Sequence, residues 1–221
     1  MEDDVRAAIF DLDGTLVHSA PDIQAAANTV LAGEGLAPLS LEETTSFIGA
    51  GAGVFVERMA AARLPAPDTD RTRAMQAAFI DLYEGAVGLT RPYPGAVAAL
   101  ETLAQDGWAL GLVTNKPEAP ARALLAHLDL MRFFPVIVGG DSLPRRKPDP
   151  LPLRHAMAAL GARETVYVGD SETDAATAQA AGVPFALFTE GYRLSPPEAL
   201  PHVFAFADFG AFTRWLAGPR Q

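Results

Sequence analysis

Apolar residues in this chain come in two kinds of run that take turns. Ala8, Ile9 and Phe10 form a short continuous run, and similar runs recur at 108–113, 134–138, 165–168 and 184–188. Short apolar runs bounded by turn residues mark strands that are buried on both faces. Between them, apolar residues spaced at helical intervals predict helices over 96–105, 118–127, 151–160, 173–181 and 209–217. Strands alternating with helices predict a parallel sheet covered on both sides, a doubly wound α/β fold. One interval breaks the rhythm. From Pro21 to about Gly88 only helices are predicted. They lie at 22–31 with a stop at Gly33 and Gly35, after a Ser40–Glu43 capping box, at 54–63 ahead of Pro65 and Pro67, and at 70–84. The first strand therefore lacks a crossover helix of its own, and an all-helical insertion stands in its place. The expected organisation is a core of residues 1–16 plus 88–221 and a small helical cap at 17–87.

Composition narrows the classes. A length of 221 residues suits one large domain or two unequal ones, and 49% hydrophobic residues are enough for a sizeable core. No uninterrupted apolar stretch is long enough to span a membrane. The start, Met1 to Phe10, is acidic and runs straight into a strand, unlike a secretory leader, so a cytoplasmic location is expected. The absence of Cys removes disulfides, thiol nucleophiles and thiolate metal sites. A net charge of −10 argues against a general nucleic-acid footprint. A small phosphorylated ligand remains open, because a site can be locally positive.

Candidate chemistry gathers at the predicted strand ends, where open parallel sheets bind ligands. Asp11 and Asp13 follow the first strand, and Gly14 and Thr15 break its pattern. A buried charge needs a compensating partner. Taken alone, the stretch reads either as a reactive site or as an Asp-Gly turn closing a hairpin. Further strand ends decide between these readings. Thr114 and Asn115 follow the second strand, Lys147 lies beyond the third, and Asp170 and Asp174 follow the fourth. Several carboxylates around one point repel unless a cation joins them. Oxygen ligands without Cys or nearby His suit a hard ion, Mg²⁺ being the usual choice. Lys147 and the helix start after Thr114 add places for an anion. The set fits a phosphate beside Mg²⁺.

These segments carry a resemblance. Asp11-Leu12-Asp13-Gly14-Thr15, Thr114-Asn115-Lys116, Lys147-Pro148, and Gly169-Asp170-Ser171 with Asp174 resemble, in order and spacing, the four motifs of the haloacid dehalogenase-like phosphatase superfamily. The resemblance covers nearly the whole chain and implies a Rossmann-like core with a helical cap. Within the family, Pro92-Tyr93-Pro94-Gly95, Val113-Thr114-Asn115-Lys116-Pro117 and Gly139-Gly140-Asp141-Ser142-Leu143 are most similar to bacterial phosphoglycolate phosphatases. His18 departs from those relatives, which usually carry Asp at this hinge position.

What the resemblance implies can be set out residue by residue. Asp11 would be the nucleophile that forms an aspartyl-phosphate. Asp13 would protonate the leaving alcohol and then activate water. Mg²⁺ would be held by the Asp11 carboxylate, the Asp13 backbone carbonyl and Asp170, with Asp174 acting directly or through water. Thr114, Asn115 and Lys147 would bind the phosphate. The expected reaction is 2-phosphoglycolate to glycolate and phosphate. Another small phosphoester or pyrophosphate, or a phosphoglucomutase, is the alternative. A signalling domain phosphorylated on Asp is disfavoured by the cap and the chain length. Gly49, Gly51 and Gly53 form a candidate specificity loop, and Arg58 is a candidate for an anionic substrate group. Lys116 is expected to be a solvated helix-start residue, and Arg145 and Arg146 a surface pair behind Lys147. His127, His155 and His202 are expected to be structural. Trp108, Phe204, Phe206, Phe209 and Phe212 are expected in the core.

Overall fold

In the computed structural model, which describes residues 5–218, the first apolar run is β1 (Arg6–Phe10). Its side chains alternate between faces. Ala8 and Phe10 enter one hydrophobic cluster, and Ala7 and Ile9 enter another. With both faces dry, the strand has no polar alternation. The chain then makes β2 (Val17–His18), α1 (Ala20–Gly33), α2 (Leu41–Phe47), α3 (Ala52–Arg63), α4 (Thr69–Tyr83) and β3 (Arg91–Pro92). Beyond these, helices and strands alternate: α5 (Ala96–Gln105), β4 (Ala109–Val113), α6 (Glu118–His127), β5 (Val136–Val138), α7 (Leu151–Leu160), β6 (Glu164–Gly169), α8 (Glu172–Ala181) and β7 (Phe185–Phe188). The last elements are β8 (Phe204–Phe206) and α9 (Phe209–Ala217).

The described residues form a six-stranded sheet in the order β5-β4-β1-β6-β7-β8. Every neighbouring pair in it is parallel. The chain builds outward from β1 through β4 to β5, then returns to β6 on the other side of β1. That reversal opens a crevice at the carboxyl ends of β4, β1 and β6, where such sheets place their ligands. This is the Rossmann-like doubly wound α/β architecture that the alternating pattern predicts. One strand differs from expectation. Residues 204–206 were predicted as core aromatics alone, and they also form the edge strand β8 beside β7. Three residues are too few to show a period, and the register is supplied by β7 rather than by the segment itself. The aromatic packing is as expected: Phe206 stacks on Phe212 with ring centroids 4.9 Å apart.

Helices α1 to α4 carry a separate hydrophobic cluster that includes Ile23, Leu31, Phe55, Met59 and Phe79. The Ser40 capping box forms as its sequence predicts. Ser40 Oγ accepts from the Glu43 N–H at 3.1 Å, and Glu43 Oε2 accepts from the Ser40 N–H at 2.8 Å. The two ends of the helical segment are tied together. β2 and β3 pair as an antiparallel ribbon. Buried Asp22, in the first turn of α1, accepts from the N–H groups of Leu89 and Thr90 and from the Thr90 hydroxyl. Among the described residues, no helix is long and apolar enough to cross a membrane.

Candidate active site

Burial forces the polar groups at the sheet's carboxyl edge to find partners among themselves. β1 ends in Asp11, whose N–H donates to the Val168 carbonyl at 2.9 Å and so fixes the aspartate against β6. A tight turn follows. The Leu12 carbonyl accepts from the N–H groups of Thr15, Leu16 and Val17, and Gly14 N–H donates to the Val17 carbonyl. Gly14 has φ +86°, and a Cβ on it would lie 2.5 Å from Asp170 Oδ2. Only glycine meets both demands. The turn folds Asp13 back beside Asp11 and delivers the Thr15 hydroxyl to Asp170 Oδ1 at 2.7 Å.

Asp170 ends β6 and is 1% exposed. Besides Thr15, it accepts from the Tyr192 N–H at 2.6 Å. Asp174 lies one turn into α8, held by a capping box with Ser171. Its Oδ1 is 2.7 Å from Lys147 Nζ and accepts from the Tyr167 hydroxyl at 2.8 Å. Lys147 Nζ also approaches Asp11 Oδ1 at 2.9 Å, as an ion pair without hydrogen-bond alignment. Oxygens of Asp11, Asp170 and Asp174 lie within 4.8 Å of one another. With three ionised carboxylates and one lysine, the cluster carries two uncompensated negative charges. Burial pushes the Asp11 carboxyl up to about 7, assisted by Asp174 and opposed by Lys147. Burial, then Asp174 and Asp11, also raise Asp170 well above the usual carboxylate range. For Lys147, burial is outweighed by Asp11 and Asp174, and its ammonium is held above the ordinary lysine value. An all-oxygen, buried and electron-rich donor set of this kind fits a hard divalent cation.

The β4 end supplies the neutral and cationic groups. Thr114 is 3% exposed, its N–H donates to the Val138 carbonyl, and its hydroxyl accepts from the Lys116 N–H at 3.2 Å. Asn115 Nδ2 donates both to the Gly49 carbonyl at 2.9 Å and to the Lys147 carbonyl at 3.1 Å. It therefore joins the helical segment to the Lys147 loop. Lys116 corrects the sequence reading. It is not a solvated helix-start residue: it is 5% exposed, with Nζ 3.8 Å from the Tyr83 ring centroid and 3.8 Å from Asp13 Oδ1. The Tyr83 hydroxyl is also its hydrogen-bond partner. Pro117 starts α6 directly after it, and the side chain turns inward beneath α4 rather than out along the new helix. Burial lowers its ammonium pKa, with Asp13 opposing.

The glycine loop divides. Gly49 and Gly51 have φ +116° and +91°. A Cβ on Gly51 would lie 3.3 Å from the Asn115 carbonyl and 3.2 Å from Arg146 Nη1, so this turn docks against the core. Gly53 lies inside α3 and faces Gln76 of α4 instead. Arg58 is exposed and donates to the Phe47 carbonyl at 3.1 Å. It lines the outer cleft together with Asp11, Asp13, Asp170 and Glu172, and not the inner cavity beside Lys116. Arg145 and Arg146 are exposed, as expected, and so are His127 and His155.

Tyr83, Tyr167 and Tyr192 are site residues that sequence reasoning missed. Tyr192 is the least legible. Its N–H holds Asp170, while its hydroxyl bonds the Ala20 N–H and lies 3.0 Å from His18 Nδ1. A single tyrosine in a loop after β7 offers no periodic signal; only the position beyond a strand's carboxyl end could have pointed to it.

A family model described as haloacid dehalogenase-like hydrolase matches residues 8–188. The chain is 56% identical over 195 residues to a phosphoglycolate phosphatase of Cereibacter sphaeroides, covering 88% of this chain and 89% of that one. It is 44% identical over 212 residues to a phosphoglycolate phosphatase of Rhodobacter capsulatus, covering 96% and 97%. The crystal structure of a predicted phosphoglycolate phosphatase from Haemophilus somnus superposes with a TM-score of 0.91 at 28% identity, covering 98% of this chain and all of that chain.

Proposed function

The chain belongs to the haloacid dehalogenase-like hydrolase family and is a phosphatase enzyme; on that premise we propose that it hydrolyses 2-phosphoglycolate to glycolate and phosphate through an aspartyl-phosphate on Asp11. The observation that carries this reading is the convergence of Asp11, Asp13, Thr114, Lys147 and Asp170 at one crevice, from strand ends far apart in sequence. Asp11 Oδ attacks phosphorus and the ester P–O bond breaks. Asp13 gives its proton to the departing alkoxide. Asp13 then takes a proton from water, the water oxygen attacks phosphorus, and the bond to Asp11 breaks to release phosphate. Proton transfer of this kind is worth about 10²–10⁴-fold. Lys147 and the Thr114 hydroxyl hold the phosphoryl oxygens, and Asn115 fixes the Lys147 loop through its carbonyl. Mg²⁺, held by the Asp11 carboxylate, the Asp13 carbonyl and Asp170 with Asp174 in support, would offset the charge of phosphate and carboxylates.

The helical segment is proposed as a cap of residues 17–87 on a core of 1–16 plus 88–221. The β2–β3 ribbon is its hinge, and the Gly49–Gly51 turn is its contact with the core. A cytoplasmic location is part of the same reading. The test is a screen of small phosphoesters with and without Mg²⁺. Turnover without metal, or full activity in Asp11→Asn, would overturn the mechanism. Equal turnover of many esters would leave the mechanism and remove the substrate.

A further inference from the structure

The crevice continues beneath the helical segment into a cavity of about 40 Å³. Its helical walls are apolar, made by Ile23, Ile48, Phe55 and Phe79, with Tyr83 at the inner end. Its floor is Asp11, Asp13, Thr114, Asn115 and Lys116. Lys116 is the only cation among the described residues that line it. By the measure of about 10–15 Å³ per enclosed water, the space holds roughly three waters. A two-carbon tail matches that volume.

Lys116 has no carboxylate within hydrogen-bond distance, and Asp13 and Asp22 act on it only from further away. Its nearest carboxylate oxygen is Asp13 Oδ1 at 3.8 Å, which accepts no hydrogen bond. The Tyr83 hydroxyl and ring complete its surroundings and bring no formal charge. A buried ammonium gains most from an anion in direct contact. The cavity beside Lys116 therefore has a place for a further anion at closer range. The spacing is set by the backbone, because Lys116 stands two residues beyond Thr114 and its N–H bonds the Thr114 hydroxyl. One strand end thus presents a phosphoryl ligand and, deeper under the helices, a buried cation.

We infer that Lys116 is a specificity-determining residue that binds the carboxylate of a short phosphorylated acid, with Tyr83 closing the far side of that subsite. This rests on the proposed phosphatase reading and extends it from the phosphate end of the substrate to the acid end. The ammonium sits in an apolar enclosure, which strengthens a charge-assisted bond to a carboxylate. A neutral tail of equal length forms no such bond and is disfavoured.

The experiment compares 2-phosphoglycolate with 2-hydroxyethyl phosphate, which has the same chain length and no carboxylate. Wild-type enzyme is expected to prefer 2-phosphoglycolate in kcat/KM by at least tenfold. Lys116→Met is expected to reduce that preference at least tenfold, chiefly through KM for 2-phosphoglycolate, while Lys116→Arg retains more of it. Should the Met variant not fold, by its thermal melt, Lys116→Gln serves the same comparison. If wild-type enzyme cleaves both esters equally, the substrate reading and the role of Lys116 both fall. If wild-type enzyme prefers 2-phosphoglycolate and the variant loses the same factor on both esters, the substrate reading stands and the role of Lys116 is overturned.

Discussion

Gly14 and Gly191 show how closely the backbone is fitted around Asp170. A Cβ on Gly191 would lie 2.3 Å from the Asp170 Cβ, and one on Gly14 would lie 2.5 Å from its carboxylate. Asp170 is therefore held by packing from two loops as well as by Thr15 and the Tyr192 N–H. Gly14→Ala adds a side chain at φ +86°, which costs about 1–2 kcal/mol in conformation. Overpacking against Asp170 adds about 1–3 kcal/mol. The expected outcome is a lower denaturation midpoint together with at least tenfold weaker Mg²⁺ activation, measured by urea unfolding and a metal titration of activity. A stability loss with unchanged metal dependence would mean that Asp170 has room to shift without consequence. Much of this residue-scale site was legible in advance: Asp11, Asp13 and Asp170 are charges stranded at the ends of apolar runs, and Lys147 was placed by the strand it follows and by its motif. Lys116 was not legible. Its burial depends on Tyr83, 33 positions away and in another element, and nothing in Thr114-Asn115-Lys116-Pro117 says which way the side chain turns.

Elements reveal themselves in sequence to the extent that they carry their own reason to form. β1, β4 and β6 did so through continuous apolar runs, and α2 did so through the Ser40 capping box. β8 and the β2–β3 ribbon did not, since each is only two or three residues long and exists through its partner. The same dependence on partners governs the attachment of the helical segment. Asp22 accepts several hydrogen bonds from residues 89 and 90, across the whole insertion. Asp22→Ala strands the buried Thr90 N–H and hydroxyl, at about 1–3 kcal/mol for each group left unpaired. Expected outcomes are a fall in the urea midpoint and faster amide exchange at both ends of the segment. Unaltered exchange at residues 88–92 would refute the staple. Asn115→Ala acts at the opposite contact by releasing the Gly49 carbonyl and the Lys147 carbonyl. Each lost hydrogen bond is worth about 0.5–1.5 kcal/mol. Its expected signature is faster exchange around residues 49–52 with α5 and α9 unaffected; uniform acceleration would mean general destabilisation instead.

Across the molecule, the site and the fold are in tension, and the proposed metal would relieve it. The chain has a net charge of −10 and buries three carboxylates around one lysine. Without a cation, burial pushes the Asp11 carboxyl up to about 7, and burial and the like-charged neighbours Asp174 and Asp11 also raise Asp170. A carboxyl with a raised folded pKa binds its proton more tightly in the folded state than in the unfolded chain. Its contribution to stability is complete below the ordinary carboxylate range and is lost as pH rises through the folded value. Metal-free protein is therefore expected to melt at a lower temperature at pH 8 than at pH 5. On the proposed reading, Mg²⁺ at pH 8 meets an Asp11 carboxylate that has largely lost its proton and offsets the charge of the cluster. At pH 5 it must first displace that proton. At one hundred times its dissociation constant, a ligand stabilises the folded state by about 2.7 kcal/mol. For a chain of this size that corresponds to roughly 5–10 °C in Tm. Scanning calorimetry of chelated protein, with and without Mg²⁺, should show a shift of that order at pH 8 and a clearly smaller one at pH 5. Equal shifts at the two pH values, or a metal-free Tm that does not fall toward pH 8, would show that the carboxylate cluster is compensated by other means and that metal is not what the fold lacks.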